Sequence, residues 1–487
     1  MKFNDLATGT ITRFDDEGRG VFDVILGDGV SKRPFSVPFT TIGDEVEVRC
    51  IKRMRGRFIG ELERIIVPGP SRIARETLKK LPYGPWLHIR YKDQLTFKHD
   101  LINRSFENAG HPERVDSVIP CTIIPTQPRN HATTPQLYRN RMDYCFGWKG
   151  ELGMKKLGSW NRYLDLDGCE LMDGSVDVLR VFHEFMCAFP DLKPWDAKRH
   201  EGDLRYVLVR RGTNSGDGII ALVIKDLTRI TEEMKSWLVS RLDSIAPNIC
   251  LSENPLITDL SYGSTIVPIK GKETFDEIIN GTRYTIHLNS FFQTNSAMAA
   301  VLQDTVWGMA DGSRLTADGQ NLDPAVSRQP SAVSQIHALR TTHHALLDLY
   351  CGLGFFGINF AQRDPSLRVS GFEIDEHAIA LAGENAAQNG VAGQCDFKSG
   401  KAEDLSWKEI DADTCIVDPP RSGLHPKVIE TLIERKYPRL IYVSCKYQRL
   451  VDELKLLKEA YNIEEIRALD LFPHTPHVEV VISMTSK

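Results

Sequence analysis

From Ala345 onward the chain alternates strand-like and helix-like stretches, and this alternation constrains the fold more than any other feature of its 487 residues. Residues 346–349, 414–418 and 440–443 are short, largely apolar runs of strand length, and 368–373 reads as the strand that follows the first of them. Helical periodicity covers 376–388, 427–435 and 448–460, and a glycine-rich turn after Leu349 leads into a helix through Ala361. Strands separated by helices predict a doubly wound α/β sheet with its ligand at the carboxyl ends of the strands.

The rest of the chain reads differently. Residues 9–14 and 20–26 alternate apolar and polar side chains, with Asp16-Glu17-Gly18 and Gly27-Asp28-Gly29 as turns. Residues 43–48 then lead into Lys52-Arg53-Met54-Arg55-Gly56-Arg57-Phe58. Several short strands in about the first 68 residues predict a barrel of OB type, whose basic hairpin tip could meet phosphates or simply be a charged turn. Val67-Pro68-Gly69-Pro70 reads as a linker. The stretch 71–281 is mixed, with a hairpin over 144–153, a helix over 176–189 and strands at 206–210 and 218–224; no chemistry is assigned there. Residues 310–344 are polar and loop-like, which predicts an insertion.

Composition excludes several classes. Hydrophobic residues at 41% and charged residues at 26% suit a globular chain and exclude collagen and wholesale disorder. No apolar run reaches the ~18–20 residues of a membrane helix, and the N-terminus lacks a signal peptide's apolar stretch, so a cytoplasmic location is expected. The net charge of −5 argues against a wholly basic nucleic-acid coat. Yet the segment from Arg49 to Arg104 carries 14 Lys and Arg against 5 Asp and Glu, which suits either a nucleic-acid surface or a solvated face. Ten scattered cysteines without a C-x-x-C pair fit reduced thiols and offer no metal-site spacing.

Three motifs carry chemistry. In Asp348-Leu349-Tyr350-Cys351-Gly352-Leu353-Gly354-Phe355-Phe356-Gly357, glycines at a strand-to-helix turn let backbone N–H groups approach a ligand. Glu373 ends the next strand, 21 residues after Gly352, where a carboxylate can accept both ribose hydroxyls of a nucleoside cofactor. The pattern is also a dinucleotide fingerprint. Asp348, four residues before the first glycine, and Val417-Asp418-Pro419-Pro420-Arg421 at a later strand end favour S-adenosylmethionine and a methyltransferase over a nicotinamide dehydrogenase. In Tyr442-Val443-Ser444-Cys445-Lys446 the cysteine ends a strand on the ligand face, beside a lysine and a helix N-terminus, an arrangement that favours a lowered thiol pKa; a core thiol is the alternative. In Asp470-Leu471-Phe472-Pro473-His474-Thr475-Pro476-His477-Val478-Glu479 a metal site lacks a third ligand at short spacing. A general base is the better reading of Glu479, and a surface loop the alternative.

Taken together, Asp418-Pro419-Pro420-Arg421-Ser422-Gly423, Tyr442-Val443-Ser444-Cys445 and 472–479 resemble, in order and spacing, the RNA uracil-5-methyltransferases. Asn289-Ser290-Phe291-Phe292-Gln293-Thr294-Asn295 resembles the family segment whose Gln touches the cofactor, and Thr134-Pro135-Gln136-Leu137-Tyr138-Arg139-Asn140-Arg141 its central-domain signature. The N-terminal barrel is similar to the TRAM module of some members. The resemblance implies Cys445 as nucleophile and Glu479 as proton acceptor, with Gln293, Tyr350, Gly352, Glu373 and Asp418 binding S-adenosylmethionine. It implies three parts: a TRAM-like OB barrel (1–68), a central α+β RNA-binding domain (69–285) and a Rossmann-like methyltransferase domain (286–487). Structured RNA is the implied partner, with no membrane and no obligate protein partner.

The chain also departs from the family pattern. TRAM-bearing relatives often hold an iron–sulfur cluster on four cysteines, but Leu81-Pro82-Tyr83-Gly84-Pro85-Trp86-Leu87-His88 has none and Cys169 stands alone, so no cluster is expected. Phe355 replaces a small polar residue, and Lys446-Tyr447 the usual Asn-Pro after the nucleophile. The TRAM-like module tilts the expected substrate toward large-subunit ribosomal RNA; the missing cluster leaves transfer RNA as the alternative. A non-catalytic RNA-binding protein and a nicotinamide-dependent oxidoreductase are the rival classes.

Overall fold

The computed structural model describes residues 2–25, 31–73, 80–121, 136–311 and 344–487. The chain divides into two compact units, residues 1–135 with 472–478 and residues 136–471 with 479–487. The expected turn at 27–29, Thr134-Pro135 of the central signature and residues 312–343 of the expected insertion lie outside the described residues; Ala310 and Asp311 close a helix instead.

In the first unit, strands β1 (Leu6–Thr10), β2 (Arg13–Phe14), β3 (Gly20–Ile25), β4 (Lys32–Val37), β5 (Glu45–Met54) and β6 (Arg57–Val67) form one sheet in the order β1-β5-β6-β4-β3-β2. The period-two pattern of β5 buries Val46, Val48 and Cys50 against Phe22, Phe35, Phe58 and Leu62, which is why a sequence so rich in charge still closes a core. The stretch expected to be a linker is pinned. Buried Asp44 accepts hydrogen bonds from Gly69 N at 2.8 Å and from Arg72 Nε at 2.9 Å. It also accepts from Thr41 N, at 2.7 Å.

Helix α1 (Tyr91–Asn108) follows, then the two-residue strand β7 (Val118–Ile119). The buried face of α1 includes polar Gln94 and Lys98, and both serve the segment 472–478. Gln94 accepts from His474 N at 2.8 Å and lies 3.1 Å from His474 Nδ1, while Lys98 Nζ donates to Phe472 O at 3.0 Å. The segment considered as a surface loop is therefore inside: His474 is 1% exposed.

The second unit holds a seven-stranded sheet of β8 (Arg141–Phe146), β9 (Leu152–Lys155), β10 (Tyr163–Asp165), β11 (Leu204–Arg211), β12 (Gly218–Ile224), β13 (Asn248–Glu253) and β14 (Thr265–Lys270). Its order is β10-β9-β8-β11-β12-β13-β14, packed with α2 (Ser175–Ala188) and α3 (Glu232–Leu242). A hairpin of β15 (Thr274–Ile279) and β16 (Thr282–His287) and helix α4 (Ser296–Asp311) precede the last sheet.

That sheet is the predicted α/β layer. It contains β17 (Ala345–Leu349), β18 (Arg368–Glu373), β19 (Cys395–Ser399), β20 (Thr414–Val417), β21 (Arg439–Ser444), β22 (Tyr461–Leu469) and β23 (Glu479–Ser486). Within this unit the order is β19-β18-β17-β20-β21-β23-β22. The first five strands are parallel and β23 runs antiparallel to both β21 and β22. The crossovers are α5 (Gly357–Arg363), α6 (Glu376–Gln388), α7 (Pro426–Arg435) and α8 (Tyr447–Leu457). Because the chain steps outward from β17 through β18 to β19 and then returns to β20, the order reverses beside β17. In Rossmann-like sheets the ligand lies outside the carboxyl ends of the strands at such a reversal.

Candidate active site at the carboxyl edge of the sheet

The turn after β17 supplies one half of the site. Asp348 is fully buried; one carboxyl oxygen accepts from Gly357 N at 3.3 Å, and the other has no hydrogen-bond partner among the described residues. Burial, opposed by the Gly357 N–H and reinforced by the Asp418 and Glu373 carboxyls, pushes Asp348 up to about 8. Tyr350, Gly352 and Gly354 have φ of 65°, 54° and 79°, so the turn is left-handed at three positions. A Cβ at Gly354 would lie 2.6 Å from Ile358, whereas one at Gly352 would meet nothing within 4 Å. The space above Gly352 is open.

Glu373 ends β18 beside that space. Its carboxylate accepts from Gly352 N at 3.3 Å, Ile374 N at 2.8 Å and Asp375 N at 3.1 Å. Three backbone donors fix its orientation and leave lone pairs for hydroxyl groups. Gln293 is buried in the loop before α4, where Asn140 Nδ2 donates to its carbonyl at 2.9 Å. Asn140 N also donates to Thr294 O at 2.9 Å, so the described part of the central signature is joined to the Gln293 segment. Phe355 packs with Tyr284 and Phe292, at ring distances of 5.9 and 5.7 Å, and its carbonyl accepts from Tyr284 Oη and Gln303 Nε2. Its aromatic character thus serves a core cluster.

The other half gathers around Cys445. Ser444 of β21 pairs with Val480 of β23, so Cys445, the residue after the last pair, leaves the strand beside Glu479, whose charge acts on its thiol. Leu469 of β22 pairs with Glu479 from the other side. Val417 pairs with Tyr442, so Asp418 leaves β20 at the same edge. Burial, the Glu479 charge and the Asp418 charge push the Cys445 thiol up to about 11, while Arg421 opposes them with its charge and a hydrogen bond. The lowered thiol pKa expected from Lys446 and the helix start is overturned. Facing carboxyls and lost hydration outweigh those two effects. Burial foremost, and Asp418 next, hold the Glu479 carboxyl well above the carboxylate range; burial raises Asp418 likewise.

Arg421, which sequence reading did not name as a site residue although its motif was singled out, stands beside Cys445. Its loop is fixed from α8. Glu453, itself bound to Tyr442 Oη at 2.7 Å, accepts from Leu424 N at 3.1 Å, and Arg449 Nε donates to Ser422 O at 2.8 Å. Gly423, at φ 82°, leaves no room for a side chain: a Cβ would lie 2.0 Å from Glu453. The structure therefore brings Asp418, Arg421, Cys445 and Glu479 together, and Tyr350, Gly352 and Glu373 around the glycine turn. His474 lies in the other unit and His477 is exposed. Among the described residues no group of three or more His, Cys, Asp or Glu is arranged to hold a metal ion. The donor set around the turn, with a fixed carboxylate, open space over Gly352 and an unpaired Asp348 oxygen, fits a nucleoside cofactor.

Comparison with known proteins agrees. The model of the family described as tRNA (Uracil-5-)-methyltransferase matches residues 332–487. The chain is 30% identical over 484 residues to a tRNA (uracil(54)-C(5))-methyltransferase of Pyrococcus horikoshii, covering 98% of this chain and 99% of that one. It is 29% identical to an uncharacterized RNA methyltransferase of Nostoc, at 95% coverage of both. A crystal structure of Pyrococcus abyssi tRNA (uracil-54, C5)-methyltransferase in complex with S-adenosyl-L-homocysteine superposes with a TM-score of 0.71 at 28% identity, covering 98% of this chain and 100% of that one. These relatives give no support to the expected preference for ribosomal RNA. The chain belongs to the RNA uracil-5-methyltransferase family and is an S-adenosylmethionine-dependent enzyme.

Proposed function

We propose that the protein forms 5-methyluridine in transfer RNA, with Cys445 as nucleophile and Glu479 as proton acceptor. The observation that carries this reading is the β21–β23 register, which sets a thiol opposite a buried carboxyl at the ligand edge of the sheet. The relatives named by substrate act on uracil 54 of transfer RNA, which supports transfer RNA over ribosomal RNA. In this reading Gln293, Tyr350, Gly352, Glu373 and Asp418 hold S-adenosylmethionine, and Glu373 receives its ribose hydroxyls. When bound, the cofactor supplies an electrophilic methyl group.

The chain's own residues do the rest. C5 of uracil is a poor nucleophile until a thiolate adds to C6 and makes C5 an enolate carbon. Cys445 gives its thiol proton to water, and the thiolate, stabilised by Arg421, forms that bond. Once C5 carries both methyl group and hydrogen, Glu479 removes the proton. The electron pair re-forms the double bond and the C6–Sγ bond breaks, restoring Cys445. The target uridine must leave its stack, at a cost of a few kcal/mol.

The first 68 residues act as a TRAM-like OB barrel and residues 69–285 as the central RNA-binding part, ahead of the methyltransferase domain. The tip of the β5–β6 hairpin supports this: Lys52, Arg53 and Arg55 are exposed. A cytoplasmic site of action fits this substrate, and no described helix is long and apolar enough to cross a membrane. The test is a transfer RNA transcript containing 5-fluorouridine, incubated with enzyme and S-adenosylmethionine. Fluorine cannot leave as a proton, so a covalent complex should accumulate through Cys445. Its absence, or its persistence in Cys445→Ala, would falsify the mechanism.

A further inference from the structure

A cavity of about 170 Å³ lies in the central sheet, and no role assigned above uses it. Its walls come from β8, β9, β10, β11 and the segment 257–259, and none of its lining residues belongs to the 345–486 sheet. The lining is rich in aromatic rings: Trp160, Tyr163, Trp195 and Tyr206, with His200 stacked on Trp195 at 6.4 Å. Trp160 is 57% exposed and Ile257 67% exposed, so two large apolar side chains at this cavity remain uncovered by folding.

The polar groups are few and paired. Lys155 Nζ and Asp259 form an ion pair, and Tyr206 Oη donates to Asp259 Oδ1 at 2.7 Å. The cavity therefore presents a cationic donor beside a carboxylate acceptor, between aromatic faces. Unpaired RNA bases are recognised in this way, by stacking on aromatic side chains and hydrogen bonds along one base edge. A cationic ligand is disfavoured, because the Arg205 guanidinium lies 4.7 Å and the Lys225 ammonium 5.4 Å from the Trp195 ring centroid. Exposed Lys156, Arg162 and Lys198 flank the lining residues in sequence and suit a phosphate backbone.

We infer that this cavity binds one unpaired guanine of the RNA substrate, stacked against Trp160, with its Watson–Crick edge on Lys155 and Asp259. Guanine alone offers two adjacent N–H donors to a carboxylate together with a carbonyl oxygen for the lysine. The inference rests on the RNA-methyltransferase reading and adds a second base-recognition site to it, formed by the central sheet and separate from the sheet edge that carries Cys445. The buried Cys145 thiol in the wall is pushed up to about 12, chiefly by burial, so it acts as packing.

The test titrates the full-length protein into 5′-labelled pentanucleotides, AAGAA and AAAAA, and follows fluorescence anisotropy. Trp160→Ala should weaken binding of AAGAA by roughly 5- to 150-fold, the range for losing one stacked base. Asp259→Asn should abolish the preference for AAGAA over AAAAA. Both side chains are exposed, so thermal melts should match the wild type. Equal affinities of wild type and Trp160→Ala overturn the cavity assignment, and equal affinities of the two oligonucleotides for the wild type overturn the choice of guanine. Methyl transfer to an unmodified transfer RNA transcript is measured alongside. Its failure with intact oligonucleotide binding would refute the proposed function and leave the cavity reading standing.

Discussion

A thiol held near 11 is a poor nucleophile until something changes its surroundings, and this can be measured without RNA. At about pH 8 an ordinary cysteine with a pKa of ~8.5 is roughly one quarter thiolate. At a pKa of about 11 the fraction is about one thousandth, so Cys445 should be alkylated by iodoacetamide roughly 200-fold more slowly than an ordinary thiol. Between about pH 7 and pH 10 its rate should climb about tenfold per pH unit. Peptide mapping by mass spectrometry reads the site, with exposed Cys187 as an internal reference in the same sample. The two charges named as causes act in opposite directions. At the alkaline end of the range, where the Glu479 carboxyl is ionised, Glu479→Gln removes a charge that raises the thiol pKa and should speed alkylation; Arg421→Ala removes the opposing cation and should slow it. A rate that levels off by about pH 9, or a Glu479→Gln variant slower than wild type, would refute the electrostatic account of the site.

Three further outcomes are expected. With unmodified transfer RNA and S-adenosylmethionine, Glu479→Gln should accumulate a covalent RNA–protein adduct visible on denaturing gels; normal turnover without adduct would remove Glu479 from proton abstraction. Asp44→Ala should destabilise the protein by about 3–5 kcal/mol in urea unfolding, because it strands Arg72, whose side chain is only 6% exposed; an unchanged midpoint would contradict the pinned segment. Purified protein should carry no stoichiometric iron by plasma mass spectrometry, and a full complement would overturn the expectation drawn from the missing cysteines.

The parallel core of the last sheet was readable because β17, β20 and β21 are short, largely apolar runs and β18 a strand-length stretch between helical repeats, and the helix over 376–388 appears where the periodicity places it. β19 escaped notice because it is a short edge strand whose alternation rests on two apolar positions, Cys395 and Phe397, both only half-buried. Helix α1 was hidden for the opposite reason: Gln94 and Lys98 occupy its buried face and break the apolar period. The site shows the same division. Cys445 and Glu479 stand out by motif, whereas the direction of the thiol shift does not. It depends on carboxyls that are neighbours only across a strand register, 34 residues apart in the chain.

The strand order β21-β23-β22 has a consequence for synthesis. Strand β23 is inserted between two strands that precede it in the chain, and its first residue is Glu479. A nascent chain arrested before that point already owns the sulfur that could grip a pyrimidine but leaves β21 with an open edge. It lacks the frame that would set that sulfur in place. Under the proposed mechanism, the order of synthesis therefore delivers Glu479 to the site only after Cys445.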